Sequence, residues 1–562
     1  MANFYTDNDR LERELQRDVF HRLATLREGD FGESELFDFA PRTAEEAVAG
    51  YRTAMQLLGE ICAERIAPNA REVDLTGPVC HEGRVSYAPK TLENHRALVE
   101  AGLYGMTLKR RFGGLNFPTT LFVMASEMVA RADGGFACLW ALQNCAETIA
   151  AFGTEEQQER LLKRVSEGAT CSMDLTEPDA GSDLQAAMLR ATWCEERQTW
   201  LLNGVKRFIT NGDADLKLVL ARTEAGTSDA RGLSLFVVER ASGGVTVRRL
   251  EKKLGIRGSA TCELHFEDAP AELIGTRRMG LIRYVMSLMN AARLGIGAQS
   301  VGLAEAAFRE AAHYATQRHQ FGRPIAQMAP IAELLLGMRT RIDAARALLY
   351  ATAHEVDCSQ SLGLKLQREG LQGEERQALK RAQRLADMFT PLLKLMAGED
   401  CNRIAYDALQ VFGGSGYTCD FPIERLYRDA RVVTIYEGTS QMQVVAAMKY
   451  VADGSLAAHL RERAEKLGSE QLLQLVERTE RLIAVVQARS ERSLEFHARR
   501  LVECGATTLM TLLLNERRDD ERSRTSARHY TTLCAATLAA HEATIEQLDE
   551  EFLEQQAAAA GL

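Results

Sequence analysis

The sequence predicts an α+β protein in which a helical region, an antiparallel β-domain and two further helical regions follow one another. Three observations predict it. Apolar residues recur at helical spacing up to about residue 165 and again from about residue 281. Between them, at about residues 166–277, the text changes to short β-branched and aromatic runs separated by Gly and Asp. Those runs leave almost no room for crossover helices, which favours an antiparallel barrel or sandwich over a parallel sheet.

Taken in order, the expected divisions are an N-terminal extension over 1–45, a helical domain over 46–165, a middle β-barrel domain over 166–277, a helical bundle over 278–452 and an additional helical domain over 453–562. Residues 44–66 set Ala, Leu, Ile and Met among charges, and 121–132 repeat the habit. The run KRRFGGLNFP at 109–118 interrupts it with paired Gly and a Pro, which reads as a loop. Strands are expected over 216–221, 233–239, 245–250 and 262–266, and helices over 304–317 and 333–349. The polar, Gly-containing stretch 354–375 reads as a surface insertion. Farther on, Leu472, Leu475, Val476, Leu482, Ile483 and Val486 fall on one helix face. The QQAAAA run at 555–560 is of low complexity and is expected to fray. No internal repeat is found.

A chain of 562 residues with 46% hydrophobic content can bury several cores. Its net charge of −10 leaves no general excess of basic residues to neutralise a polyanion, which argues against nucleic acid as a partner. A few local Arg residues or helix N-termini can still hold the phosphates of a CoA-type ligand. No window is apolar enough to span a membrane and no secretion leader precedes the helices, so the expected location is cytoplasmic, with no integral membrane segment. The twelve Cys stand singly from Cys62 to Cys534 without a C-x-x-C pair, a pattern of reduced thiols, with no metal site expected.

Three stretches carry chemistry. At 171–183, CSMDLTEPDAGSD, an extended start meets a turn that exposes N–H groups and hydroxyls able to hold a polar ring edge or a phosphate; a plain surface turn reads the same way. At 202–212, LNGVKRFITNG, Asn203-Gly204 is a hairpin signal, and alternation puts Phe208 and Thr210 on one face. A core Phe beside a β-forming Thr fits equally. At 410–443, QVFGGSGYTCDFPIERLYRDARVVTIYEGTSQMQ, Gly413, Gly414 and Gly416 allow a ligand close to the backbone. Glu437 then stands beside Gly438, with Thr439 and Ser440 ready to cap a helix. In apolar surroundings such a carboxylate would have a raised pKa and could act as a base. It could also be an exposed acid at a helix start.

Together, TEPDAGSD, KRFITNG, ATQRHQFGRPIA, QVFGGSGY and IYEGTSQMQ occur in the order and spacing of one family. Over roughly residues 45–450 the chain resembles the acyl-CoA dehydrogenases. The resemblance implies that family's fold: an N-terminal helical domain, a middle antiparallel β-domain and a C-terminal four-helix bundle, here with an additional helical domain. It also implies FAD as cofactor and the α,β-dehydrogenation of an acyl-CoA to a trans-2-enoyl-CoA, as in fatty acid β-oxidation.

Residue by residue, the resemblance lays Met173, Leu175, Thr176 and Ser182 along the flavin, with Ser182 also near the CoA phosphates. Phe208 stands where the family often stacks a Trp on the ring, and Thr210 where a hydroxyl meets flavin N5. Arg318, Gln320 and Phe321 match positions that reach the FAD pyrophosphate and adenosine of a neighbouring subunit. Gln410, Gly413 and Gly414 match the adenine border, and Thr439 and Gln441 match contacts to the dinucleotide. Glu437 falls on the usual catalytic base. A subset of the family carries its base at the position of Ala292, which cannot accept a proton. Asn290, Arg293, Tyr436 and Gly438 complete the implied substrate residues, although Asn290 replaces a common Asp associated with CoA. The family stabilises the enolate oxygen with the N–H of the catalytic Glu and a flavin ribityl hydroxyl.

The implied partners are an acyl-CoA, electron-transferring flavoprotein and a second copy of the chain, because a cofactor built across subunits needs a dimer. The length and C-terminal helices are similar in plan to the very-long-chain and methylthiopropionyl-CoA dehydrogenases, and point to a homodimer. Two alternatives stand beside this reading: an acyl-CoA oxidase that passes electrons to oxygen, and an AidB-like flavoprotein with a role in binding DNA. Against the second, the residues from Leu456 onward hold 14 Lys plus Arg and 18 Asp plus Glu, which is no electrostatic footprint for DNA.

Overall fold

The computed structural model describes residues 2–549, 551, 552, 554, 555 and 561; the expected fraying of the QQAAAA run lies, from residue 556, outside the described residues. The chain forms two units, Met1–Leu303 with Val356–Lys380, and Ala304–Glu355 with Arg381–Leu562.

In the first unit one set of helices comes before the sheet, with a small hairpin of β1 (Val79–His81) and β2 (Arg84–Ser86) among them, and helical residues of 286–303 and 356–380 come after it. The loop at 109–118 is pinned by Arg110, whose two Nη atoms each donate to the buried Glu28 carboxylate at 2.7 Å. The β-domain comprises β3 (Cys171–Asp174), β4 (Arg190–Cys194), β5 (Thr199–Thr210), β6 (Leu216–Arg222), β7 (Leu233–Glu239), β8 (Val245–Leu250) and β9 (Thr261–Ile274). Their order is β3-β6-β4-β5-β9-β7, with β8 on β9. Because β7 pairs with β6 as well as with β9, the sheet closes on itself around Leu202, Val219, Phe236, Leu264 and Phe266. The pairing is antiparallel except where β6 meets β3 and, at a single residue pair, β4.

Two local expectations need correction. Asn203-Gly204 does not turn a hairpin. β5 runs straight through it, and the β4–β5 turn occupies 195–198. The Asn side chain instead serves a β-bulge, its amide donating to Asp268 at 3.0 Å while its oxygen accepts the Asp268 N–H at 2.9 Å. At Gly204, with φ 142°, Leu189 lies 3.1 Å from where a Cβ would stand. Nor is 354–375 a surface insertion. Helix Ala329–Arg368 continues through most of it, and Asp357 is fully buried. Its carboxylate accepts the N–H groups of Thr119 and Thr120, at 2.6 and 2.8 Å, and the Thr120 hydroxyl. It thereby caps helix Thr119–Ala132, which starts after Pro118 and has no side-chain cap of its own.

In the second unit Glu305 is buried among arginines, accepting from Arg339, Arg346 and Arg309 at 2.7–3.0 Å. Burial alone would raise its pKa, but Arg339, Arg346 and Arg309 outweigh burial and hold it well below the usual carboxylate range. After helix Ser440–Ala452 come Ser455–Leu467, Glu470–Gln487, Glu491–Asn515 and Glu521–Gln547. Leu472, Leu475, Val476, Leu482, Ile483 and Val486 are all buried. Among the described residues no helix is long and apolar enough to cross a membrane.

Candidate functional site

The structure gathers the predicted residues into three groups. In the first unit the 171–183 turn and the 202–212 strand meet. Past β3 the chain turns at Pro178-Asp179, with Glu177 and Ala180 bonded to each other through their backbones. The Arg207 N–H donates to the Thr176 carbonyl at 2.9 Å, and the Lys206 ammonium donates to the Leu175 carbonyl at 2.8 Å. Lys206 also pairs with the Glu177 carboxylate at 2.8 Å, both side chains being buried, and Glu177 accepts the N–H groups of Met188 and Leu189. Burial pulls the Lys206 pKa below its ordinary value, opposed by the Glu177 charge.

This buried pair locks the Thr176 turn to the strand that carries Phe208. The register shifts between Lys206 and Ile209, so Phe208 sits in a bulge at φ 61° with its ring 53% exposed, while Thr210 lies at the strand's end. Thr176, Ser182 and Thr210 have no hydrogen-bond partner for their hydroxyls among the described residues. The turn after Thr210 is held by the buried Lys217, whose ammonium donates to the carbonyls of Gly212 and Ala214 at 2.6 and 2.9 Å. Beside it, Asp174 is fully buried with neither carboxylate oxygen hydrogen-bonded. Burial lifts its pKa to about 6 against the pull of the Lys217 and Lys206 charges. On helix Met286–Gln317, Arg293 donates to the Asn290 side chain one turn away at 3.1 Å, and both are half-buried.

The second group belongs to the second unit. Arg318, Gln320 and Phe321 occupy a tight hairpin of β10 (His319–Gln320) and β11 (Arg323–Pro324), all exposed, and the Phe321 ring is 94% exposed at φ 51°. At the end of the preceding helix Tyr314 stacks on Phe412 with ring centroids 4.2 Å apart, placing this hairpin beside the Gly-rich turn. Gly413 has φ 58°, and a Cβ at Gly413 or Gly414 would meet nothing within 4 Å. Gln410 is exposed beside them.

Glu437 forms the third group, also in the second unit, between the turn Arg431–Thr434 and helix Ser440–Ala452. It is half-buried and holds φ 54°, a left-handed backbone that costs a non-Gly residue about 1–3 kcal/mol. The carbonyl of Gly438 accepts from the buried Lys394 ammonium at 2.6 Å and from the Gln443 amide at 2.9 Å. Gln443 also reaches the Glu437 carbonyl at 3.4 Å, and the Thr439 hydroxyl caps the following helix through the Met442 N–H. The backbone on either side of this carboxylate is therefore fixed.

Lys206, Glu177, Lys217, Asp174, Lys394 and Gln443 were not singled out from the sequence. Lys206 and Glu177 lie inside the recognised motifs and had a signal, since a Lys in a strand of a closed sheet needs a counter-charge. Gln443 lies inside IYEGTSQMQ as well, but its residue type did not mark its bonds to backbone carbonyls, and Lys394 had no signal.

The residues present fit FAD. In the first unit the exposed Phe208 ring, with the Arg207 guanidinium 4.7 Å from its centroid, stands near unengaged Thr hydroxyls; in the second, a glycine pair leaves open space where side chains would crowd a dinucleotide. Thr176, Phe208 and Thr210 would hold the ring, and Gly413, Gly414, Thr439 and Gln441 the dinucleotide. Among the described residues no group of three or more His, Cys, Asp and Glu is placed to hold a metal.

Family models described as the acyl-CoA dehydrogenase N-terminal, middle and C-terminal domains match residues 52–169, 172–269 and 282–451, and one described as acyl-CoA dehydrogenase C terminal matches 449–553. An acyl-CoA dehydrogenase of Bacillus subtilis is 37% identical over 362 residues, covering 63% of this chain and 88% of that protein. The 3-methylmercaptopropionyl-CoA dehydrogenase of Ruegeria pomeroyi is 32% identical over 435 residues, 72% of each chain. A solved acyl-CoA dehydrogenase of Bacillus anthracis, complexed with FAD, shares the fold over 91% of this chain and 90% of that one, with a TM-score of 0.74 at 23% identity. With all three domains matched in order, the chain belongs to the acyl-CoA dehydrogenase family and is an oxidoreductase acting on acyl-CoA.

Proposed function

We propose that the protein removes hydrogen from the α and β carbons of an acyl-CoA to give a trans-2-enoyl-CoA, with Glu437 as the base that takes the α-proton. The observation that carries this is the fixed, left-handed backbone at Glu437: such a conformation in a non-Gly residue persists where surrounding contacts impose it, here Lys394 and Gln443 on the adjacent carbonyls. FAD, when bound, supplies the acceptor for the β-hydride at its N5.

The chain's own residues do the rest. The Glu437 carboxylate receives the proton, and its backbone N–H donates to the thioester oxygen as negative charge develops there. Thr176 and Thr210 bond the ring edge, while Phe208 covers a face of the ring and keeps water from it. Met173, Leu175 and Ser182 line the same strand and turn, and Asn290, Arg293, Tyr436 and Gly438 border the thioester and CoA. Arg318, Gln320 and Phe321 reach the dinucleotide held by a second copy of the chain, beside its Gln410, Gly413 and Gly414. The nearly bare Phe321 ring supports that reading, and with it a homodimer. The electron acceptor that follows is electron-transferring flavoprotein.

Glu437→Gln tests the assignment. The variant is expected to stay yellow and bind acyl-CoA, yet to lose anaerobic bleaching by a panel of acyl-CoAs by at least about 10²–10⁴-fold in rate. Bleaching at the unaltered rate would refute it. Slow reoxidation of the reduced protein in air is expected of a dehydrogenase, and rapid peroxide release would make it an oxidase.

A further inference from the structure

Within the second unit a cleft of about 380 Å³ opens among helices Gly373–Phe412, Ser440–Ala452 and Glu491–Asn515 and the turn before Glu437. Its wall includes Glu399, Asn402, Arg431, Thr439, Gln441 and Arg499. Arg499 is the one described lining residue that comes from the helices after residue 452. Its guanidinium is aimed by two carboxylates, Nε donating to Glu503 at 2.7 Å and Nη2 lying 3.3 Å from Glu399. The same Glu399 oxygen accepts the Ser440 hydroxyl at 2.6 Å, so Arg499 is tied to the start of the helix that follows Glu437. Arg431 is exposed, with Nη1 on the Thr434 hydroxyl at 2.5 Å. The wall of the cleft thus holds two guanidinium groups, the amides of Asn402 and Gln441 and the hydroxyls of Thr434, Thr439 and Ser440 with one carboxylate, Glu399, while Glu503 pairs with Arg499 from outside the wall. That donor excess suits a phosphate ester, which accepts several charge-assisted bonds at once.

We propose that Arg499 and Arg431 bind a phosphate group, of FAD or of CoA, so that the appended helical domain contributes directly to ligand binding. The inference rests on the reading that Thr439 and Gln441 border the dinucleotide, and it adds a residue that the shorter plan of the fold does not contain. A cation held in place by Glu399 and Glu503 needs little further ordering to meet an anion. Those two carboxylates also keep the free cleft from being strongly positive.

The test uses the full chain. Flavin-free protein is titrated with FAD, and FAD-loaded protein with CoA, for the wild type and for Arg499→Met, Arg499→Lys and Arg431→Met. Methionine keeps the stem's packing and removes the charge. Arg499→Met is expected to weaken one of the two ligands about tenfold and to flatten the salt dependence of that binding, while Arg499→Lys retains most of the affinity. A loss confined to FAD identifies the dinucleotide phosphate, and one confined to CoA identifies the CoA phosphates. Wild-type affinity for both ligands in Arg499→Met overturns the proposal. Should that variant fail to fold, Arg431→Met on the opposite wall replaces it, and unaltered binding of both ligands there overturns the proposal equally. Wild-type protein that binds neither FAD nor CoA would instead sink the wider functional reading.

Discussion

Phe208 and Glu437 both hold a left-handed backbone, at φ 61° and 54°, but they are secured in different ways. Phe208 lies in a bulge of a closed sheet, anchored by the buried Lys206–Glu177 pair two residues before it. Glu437 lies in a loop whose neighbouring carbonyls are gripped by Lys394 and Gln443. The first arrangement commits charges to the core, so it should fail as lost stability. The second holds a strained turn by donors at its edges, so it should fail as lost chemistry.

The largest stability effect expected from this contrast is at Glu177. Glu177→Gln leaves the Lys206 ammonium buried without its counter-charge, which should cost about 3–5 kcal/mol in a denaturant titration and weaken FAD binding. A cost below about 1 kcal/mol would show that the pair does not anchor the bulge.

A second effect is read in pH. The Asp174 pKa is raised by burial to about 6, so the folded chain takes up a proton between that value and the unfolded one near 3.9. Its contribution therefore favours the folded state below about pH 4 and is lost as pH rises through 6, a change of about 3 kcal/mol. Asp174→Asn should remove that slope from a urea-midpoint series across pH 4–7, and an unchanged slope would count against the assignment.

The smallest effect sharpens the other side of the comparison. Glu437→Gly relieves the left-handed strain and should stabilise the protein by up to about 1 kcal/mol while abolishing turnover. A destabilised Glu437→Gly would mean that the carboxylate secures the turn rather than being displayed by it.

Much of this contrast was hidden from the sequence. The motif order singled out Thr176, Phe208, Thr210 and Glu437, and the runs of β-branched residues located the strands. The bulges were not legible, because Asn203-Gly204 looks the same in a hairpin turn and in an irregular strand, and only the pairing with Asp268 separates the two. Polar residues misled for a similar reason. Asp357 reads as a solvent-facing residue until its carboxylate is seen capping a helix that begins 238 residues earlier in the chain. Lys394 and Gln443 act through backbone carbonyls, which leave no mark on residue type at either end of the bond. By contrast, the helix face at Leu472, Leu475 and Val476 was legible because burial and periodicity coincide there.

Whether Glu437 takes the α-proton can be read from α-carbon exchange, without turnover. An acyl-CoA analogue with sulfur in place of its β-carbon cannot give up a hydride, so proton transfer is isolated from electron transfer. In D₂O the wild type with FAD bound is expected to exchange the α-protons, followed by NMR, and Glu437→Gln to leave them in place while still binding the analogue. Exchange at the wild-type rate in Glu437→Gln would contradict the claim.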